Sequence, residues 1–169
     1  MTQLPFYLGA GADAALCLFH EPAPEAPRGV GVVICPPLGW DEVASYRPRR
    51  AWAVDLAAAG HPALRLDLPS TGDSTGCPAD PDRLEAWTAA VVAATTWLRT
   101  RGGAPRVALL GLGAGGLLAC RAMAHGAPAD DLVLWGTRSR GRTVVRELRA
   151  LARLEAAEFA VPAGEAPPP

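Results

Sequence analysis

Three glycines, Gly111, Gly113 and Gly116, are spaced G-x-G-x-x-G within "VALLGLGAGGLLACRAM", residues 107–123. The stretch reads as a buried strand, a tight turn and a helix. Two chemistries use such a turn. In a dinucleotide-binding loop, glycines let the backbone close on a pyrophosphate at a helix N-terminus. In a nucleophile elbow, G-x-S-x-G, the middle residue carries an attacking hydroxyl. Here that middle residue is Gly113, which has no side-chain atom able to attack a carbonyl.

The dinucleotide reading needs a context that is missing. Such a loop normally opens its fold, and an acidic residue some 20 positions on closes the next strand to hold a ribose. In this chain about a hundred residues precede the turn. Asp130 and Asp131 stand at the start of the following strand, whereas Gly136 and Thr137 end it.

Other reactive residue types are sparse. All sixteen basic residues are arginine. Without lysine there is neither Schiff-base chemistry nor a Walker-type phosphate lysine. The three histidines, His20, His61 and His125, fall at the ends of elements and read as structural or solvent-facing. Asp67 reads as an acceptor fixing the "STGD" turn. Ser45, Ser70 and Ser74 belong to no motif that includes a histidine. The four cysteines share no C-x-x-C pair; Cys17, Cys35 and Cys120 lie in apolar runs and read as reduced core residues. No metal site and no cofactor is expected. A net charge of −1 argues against nucleic acid. No apolar run approaches the roughly 20 residues that cross a bilayer, and the N-terminus lacks a basic region of the signal-peptide type. The expectation is a cytoplasmic protein.

The elements that must position these residues alternate. "PFYLG" and "ALCLFHEP" suggest an N-terminal hairpin. "VGVVI", "PALRLDLP", "RVALLG" and "DLVLWG" read as strands. Helices are expected at about 43–59, 81–101, 114–125 and 142–158. In the second, Asp80 is the expected N-cap and Leu84, Trp87, Val91, Thr95 and Leu98 form the inner stripe. In the last, Val144, Leu148 and Leu151 face inward. Strands alternating with helices give an α/β fold, a three-layer sandwich around a mostly parallel sheet. Residues 1–158 form the domain, and 159–169, rich in proline, are expected to be disordered.

The segments "VVICPPLGWDEVASYRPRRAWAVDLAAAGHPALRLDLPSTGDSTG", "RVALLGLGAGGLLA" and "DLVLWGTRSRGRTVVRELRAL" together resemble the N-terminal two-thirds of an α/β-hydrolase domain of the serine-aminopeptidase-like type. The likeness is to the hydrolase-like proteins associated with the exosortase A system. The resemblance implies about six strands, with the late strands of that fold not represented. It makes Gly113 the degenerate nucleophile position. It also implies oxyanion donors in the backbone N–H groups of Ala114 and Gly115 and of the Leu38, Gly39, Trp40 loop, and it places Asp41 on the active face. In that family the catalytic base and acid follow the last strands. The implied reading is a pseudoenzyme that binds a small molecule or partner without hydrolysis. One alternative is a subunit of a split esterase, thioesterase or peptidase-like enzyme completed by another chain; another is a dinucleotide-binding oxidoreductase domain. The strand at 131–136 would be an edge open to a second copy or a complementing subunit. Arg142, Arg146, Arg149 and Arg153 are candidates for docking an acidic partner or a phosphorylated group.

Overall fold

In "VGVVIC" Val33 and Cys35 point to one side of the strand, Val32 and Ile34 to the other, and all four are buried. A strand that buries both sets of alternate side chains must lie inside a sheet covered on both faces. The computed structural model, which describes residues 3–25 and 27–158, places it there. Expectations for the tail 159–169 lie outside the described residues.

The sheet has six strands: β1 (Gln3–Leu8), β2 (Ala15–His20), β3 (Val30–Cys35), β4 (Ala63–Leu66), β5 (Arg106–Leu112) and β6 (Asp131–Trp135). Their order is β1-β2-β4-β3-β5-β6. The hairpin β1–β2 is antiparallel and joins β4 antiparallel, while β4, β3, β5 and β6 are mutually parallel. On one face lies α1 (Trp40–Ala58), whose Ala53, Trp52 and Leu56 meet Val32, Ile34, Ala63 and Leu112. On the other lie α2 (Arg83–Thr100) and α3 (Ala114–Ala124) over the larger core, which includes Val33, Leu64, Leu66, Val107 and Leu109. Trp97 stacks on Phe6 and meets Phe19 edge-on, tying α2 to the hairpin.

Three local expectations need correction. The first helix starts at Trp40, three residues before Val43, because Gly39 (φ 66°) turns the chain directly out of Pro36–Pro37. Asp80 does not cap the second helix. Its carboxylate accepts from the Cys77 N–H at 2.6 Å, which closes the preceding loop, and Asp82 holds the N-cap position. The buried row of that helix passes through Thr88 rather than through Leu84, while Trp87 is half-buried against the larger core, as expected. Thr88 is buried with its hydroxyl on the Leu84 carbonyl, and Leu84 is 47% exposed. Both rows satisfy a helical period, so periodicity alone did not separate them.

From Arg140 the chain forms a second unit whose described element is the helix α4 (Gly141–Glu158). Val144, Leu148 and Leu151 are half-buried along it, and Arg142, Arg146, Arg149 and Arg153 are all exposed. Steps of four, three and four put these arginines along one side of the helix.

Candidate functional site

The parallel strands β3 and β5 are neighbours, but the chain leaves them in opposite directions: β3 leads through α1 to β4, and β5 leads through α3 to β6. Loops that diverge in this way open a crevice beyond the carboxyl ends of the strands, the usual ligand position in open α/β sheets. Pro36 and Pro37 leave β3 on one side of it, and Gly113 leaves β5 on the other. The register brings Cys35 beside Gly111 and Leu112 beside Trp135, so the three strand ends meet there.

Gly113 has φ 52° and ψ −118°, and its N–H donates to the Trp135 carbonyl at 2.9 Å. That backbone conformation strains any residue with a Cβ and costs glycine little. It makes a sharp turn from β5 into α3. Space does not impose the glycine: a Cβ on residue 113 would stand 3.4 Å from Pro37 Cβ and 3.9 Å from Asp41 Oδ2. The other glycines are there for packing. A Cβ on Gly111 would overlap Gly116 Cα, one on Gly115 would overlap the Pro36 carbonyl oxygen, and one on Gly116 would overlap Thr137 Oγ1. The outer glycines of the G-x-G-x-x-G spacing are therefore explained by packing, Gly111 against α3 and Gly116 against Thr137. Asp130 and Asp131 pair instead with Arg99 and Arg106, at the start of β6.

The cleft beside Gly113 has a volume of about 430 Å³. Pro37, Ala44, Pro48, Leu112 and the rings of Trp52 and Trp135 form its apolar wall, with Asp41 and Ser45 supplying polar side chains. The two indoles lie 5.6 Å apart, centroid to centroid, tilted by 36°. Of the residues expected from sequence, Gly113 and Asp41 line this cleft. Ala114 and Gly115 form the first turn of α3, where N–H groups have no intrahelical acceptor. Leu38 packs against the larger core, Gly39 is the N-cap of α1, and Trp40 opens that helix with 60% of its surface exposed. Sequence reasoning did not assign Trp52, Trp135, Ala44 or Pro48 to a site. Trp52 also packs against the smaller core, and no local signal marks a strand-end tryptophan as a cleft wall.

The histidines are held elsewhere. His61 Nδ1 lies 2.8 Å from the Val30 carbonyl, and His125 Nδ1 lies 2.9 Å from the Arg121 carbonyl. His20 is 4% exposed, and its Nε2 accepts from Arg65 Nε at 3.3 Å. Burial, with the charges of Arg65 and Arg50 added, lowers its pKa to about 4. Around Arg65 is a cluster of buried charge. Arg49, 1% exposed, pairs with Glu42 at 2.5 Å, and the guanidinium carbons of Arg49 and Arg65 lie 5.9 and 5.4 Å from the Tyr46 ring centroid. Arg65 Nη2 has no hydrogen-bond partner among the described residues.

Asp67 accepts from the Asp73 N–H at 3.2 Å, and its Oδ2 occupies the space a Cβ on Gly72 would need. It fixes the "STGD" turn, as expected. Burial raises its pKa despite that hydrogen bond. Cys17 and Cys35 are buried, which pushes both thiols up to about 12; Cys120 is half-buried. Among the described residues no group of three His, Cys, Asp or Glu side chains could hold a metal ion, and no helix is long and apolar enough to cross a membrane.

No family model matches the sequence, and no curated protein matches it. Solved structures do match in shape. A lidless α/β serine hydrolase from Xanthomonas campestris aligns with a TM-score of 0.62 at 20% identity, over 78% of this chain and 60% of that one. A thermostable carboxyl esterase from Bacillus coagulans aligns with a TM-score of 0.68 at 18% identity, over 94% and 52%. A 2-hydroxy-6-oxo-6-phenylhexa-2,4-dienoate hydrolase from Rhodococcus aligns at 0.60 and 19% identity, over 89% and 54%. The chain has the α/β-hydrolase fold. It spans 52–60% of the length of these three structures.

Proposed function

We propose that this α/β-hydrolase-fold chain binds a small molecule in the cleft beside Gly113 and does not hydrolyse it. The observation that supports this reading is the turn at Gly113. The backbone turns sharply from strand to helix, a Cβ would fit, and yet residue 113 offers no nucleophile. Acyl transfer also needs a base within hydrogen-bond reach of a nucleophile, and no histidine is among the residues lining the cleft. The cleft does offer groups that position a ligand: an apolar, partly aromatic wall, a few polar groups and the open N-terminus of α3. That is the usual composition of a small-molecule site.

Phenyl acetate, a small neutral ester, tests both halves of the proposal. Titrated into the protein, it is expected to shift the indole resonances of Trp52 and Trp135 saturably and to leave those of Trp87 and Trp97 in place. Trp87 bonds the Pro69 carbonyl and Trp97 is stacked on Phe6, so both serve as internal references. Phenol release should not exceed that in buffer. Unmoved Trp52 and Trp135 signals, or protein-dependent phenol release, would contradict the proposal.

A further inference from the structure

The charge of the cleft narrows the class of ligand. Asp41 is the one ionisable side chain among the lining residues, and its carboxylate faces the space over Gly113. Among the described residues no arginine lines the cleft, although the chain carries sixteen. Trp52 and Trp135 form a continuous aromatic wall, and Trp135 is 64% exposed. An exposed aromatic face beside an exposed carboxylate is the arrangement that attracts an organic cation. The ring quadrupoles present negative faces, and the carboxylate adds a full charge of the same sign. The N-terminus of α3 acts in the opposite sense, but its partial charge is about half an elementary charge spread over several N–H groups. An anion bound there would also have to sit beside Asp41.

We infer that the cleft takes an organic cation, an ammonium group on a small apolar body, with the cationic head between Asp41 and the Trp52–Trp135 wall. This rests on the reading that the cleft holds a small molecule.

The test compares three probes of nearly the same shape: choline, its neutral carbon analogue 3,3-dimethylbutan-1-ol, and the anion 3,3-dimethylbutanoate. The indole resonances of Trp52 and Trp135 are followed at low salt. Choline is expected to bind at least tenfold more tightly than the alcohol, and the carboxylate more weakly than either. Asp41→Asn should reduce choline affinity at least fivefold. Asp41 is exposed in the first turn of α1, so the variant is expected to fold, which its circular dichroism melt verifies. Equal affinity for choline and the alcohol, or tightest binding of the carboxylate, would overturn the cation inference and leave the small-molecule cleft standing. Failure of all three probes to move Trp52 and Trp135 would remove both.

Discussion

Gly115→Ala is expected to destabilise the chain by about 3 kcal/mol or more, enough to unfold much of a protein whose total stability is typically about 5–15 kcal/mol. The sign is the informative part. In an ordinary helix, replacing glycine by alanine gains about 1 kcal/mol, because alanine restricts the unfolded chain and favours the helix. Gly115 is in the first turn of α3, with no unusual φ to forbid a side chain. Its surroundings forbid one instead. A Cβ would overlap the Pro36 carbonyl oxygen and stand 2.5 Å from that of Cys35, and both are backbone atoms that cannot rotate away. Relief requires moving α3 off the end of β3, which opens the crevice the two elements form. Denaturant titration of the variant reads the effect as a lowered midpoint. A midpoint equal to or above that of the parent would mean that α3 does not pack against Pro36 as closely as described.

Acidification supplies the second large effect. His20 titrates at about 4 in the folded chain and at an ordinary 6.5 when unfolded. Between those values the unfolded chain binds more protons, so stability is full above pH 6.5 and falls as the pH drops toward 4. A shift of this size corresponds to about 3 kcal/mol at the acid end. The cause is local: the neutral ring accepts from Arg65, and a protonated ring would be buried against that guanidinium. Asp67 works the other way. Its raised pKa means that the folded state takes up a proton at higher pH than the unfolded one, which favours the fold on acidification. Comparing parent with His20→Gln isolates the histidine, since Asp67 is present in both. The variant is expected to have a visibly flatter dependence of stability on pH from 6.5 to 4.5. Parallel pH profiles would refute the assignment.

Much of the fold was legible because its signals are local. "VGVVI" and "VALL" are apolar at every position, as strands buried on both faces must be. The turn at Gly60 and the hairpin at residues 3–20 carry ordinary stop and turn chemistry. Asp67 was readable as the anchor of its turn because its partner, Asp73, is only six residues away. The site was less legible, because its members come from distant stretches. Pro37, Trp52, Gly113 and Trp135 converge only once the order β4-β3-β5-β6 is known. The glycine spacing marked the turn between strand and helix at Gly113, but it could not show that Gly111 packs against Gly116 and Gly116 against Thr137. The charged cluster of Arg49, Arg65, Glu42 and His20 left no trace in the sequence, since a buried arginine looks the same as a solvated one until its neighbours are known.

The central claim is that an elbow whose middle residue has no side chain forms no acyl or phosphonyl bond. Intact-mass measurement after incubation with a fluorophosphonate probe tests it most directly. The account predicts the unmodified mass, with Ser45 at the cleft left unlabelled because no histidine lies beside it to take its proton. A stoichiometric phosphonyl adduct on any serine of the folded chain, lost on unfolding before the probe is added, would contradict it.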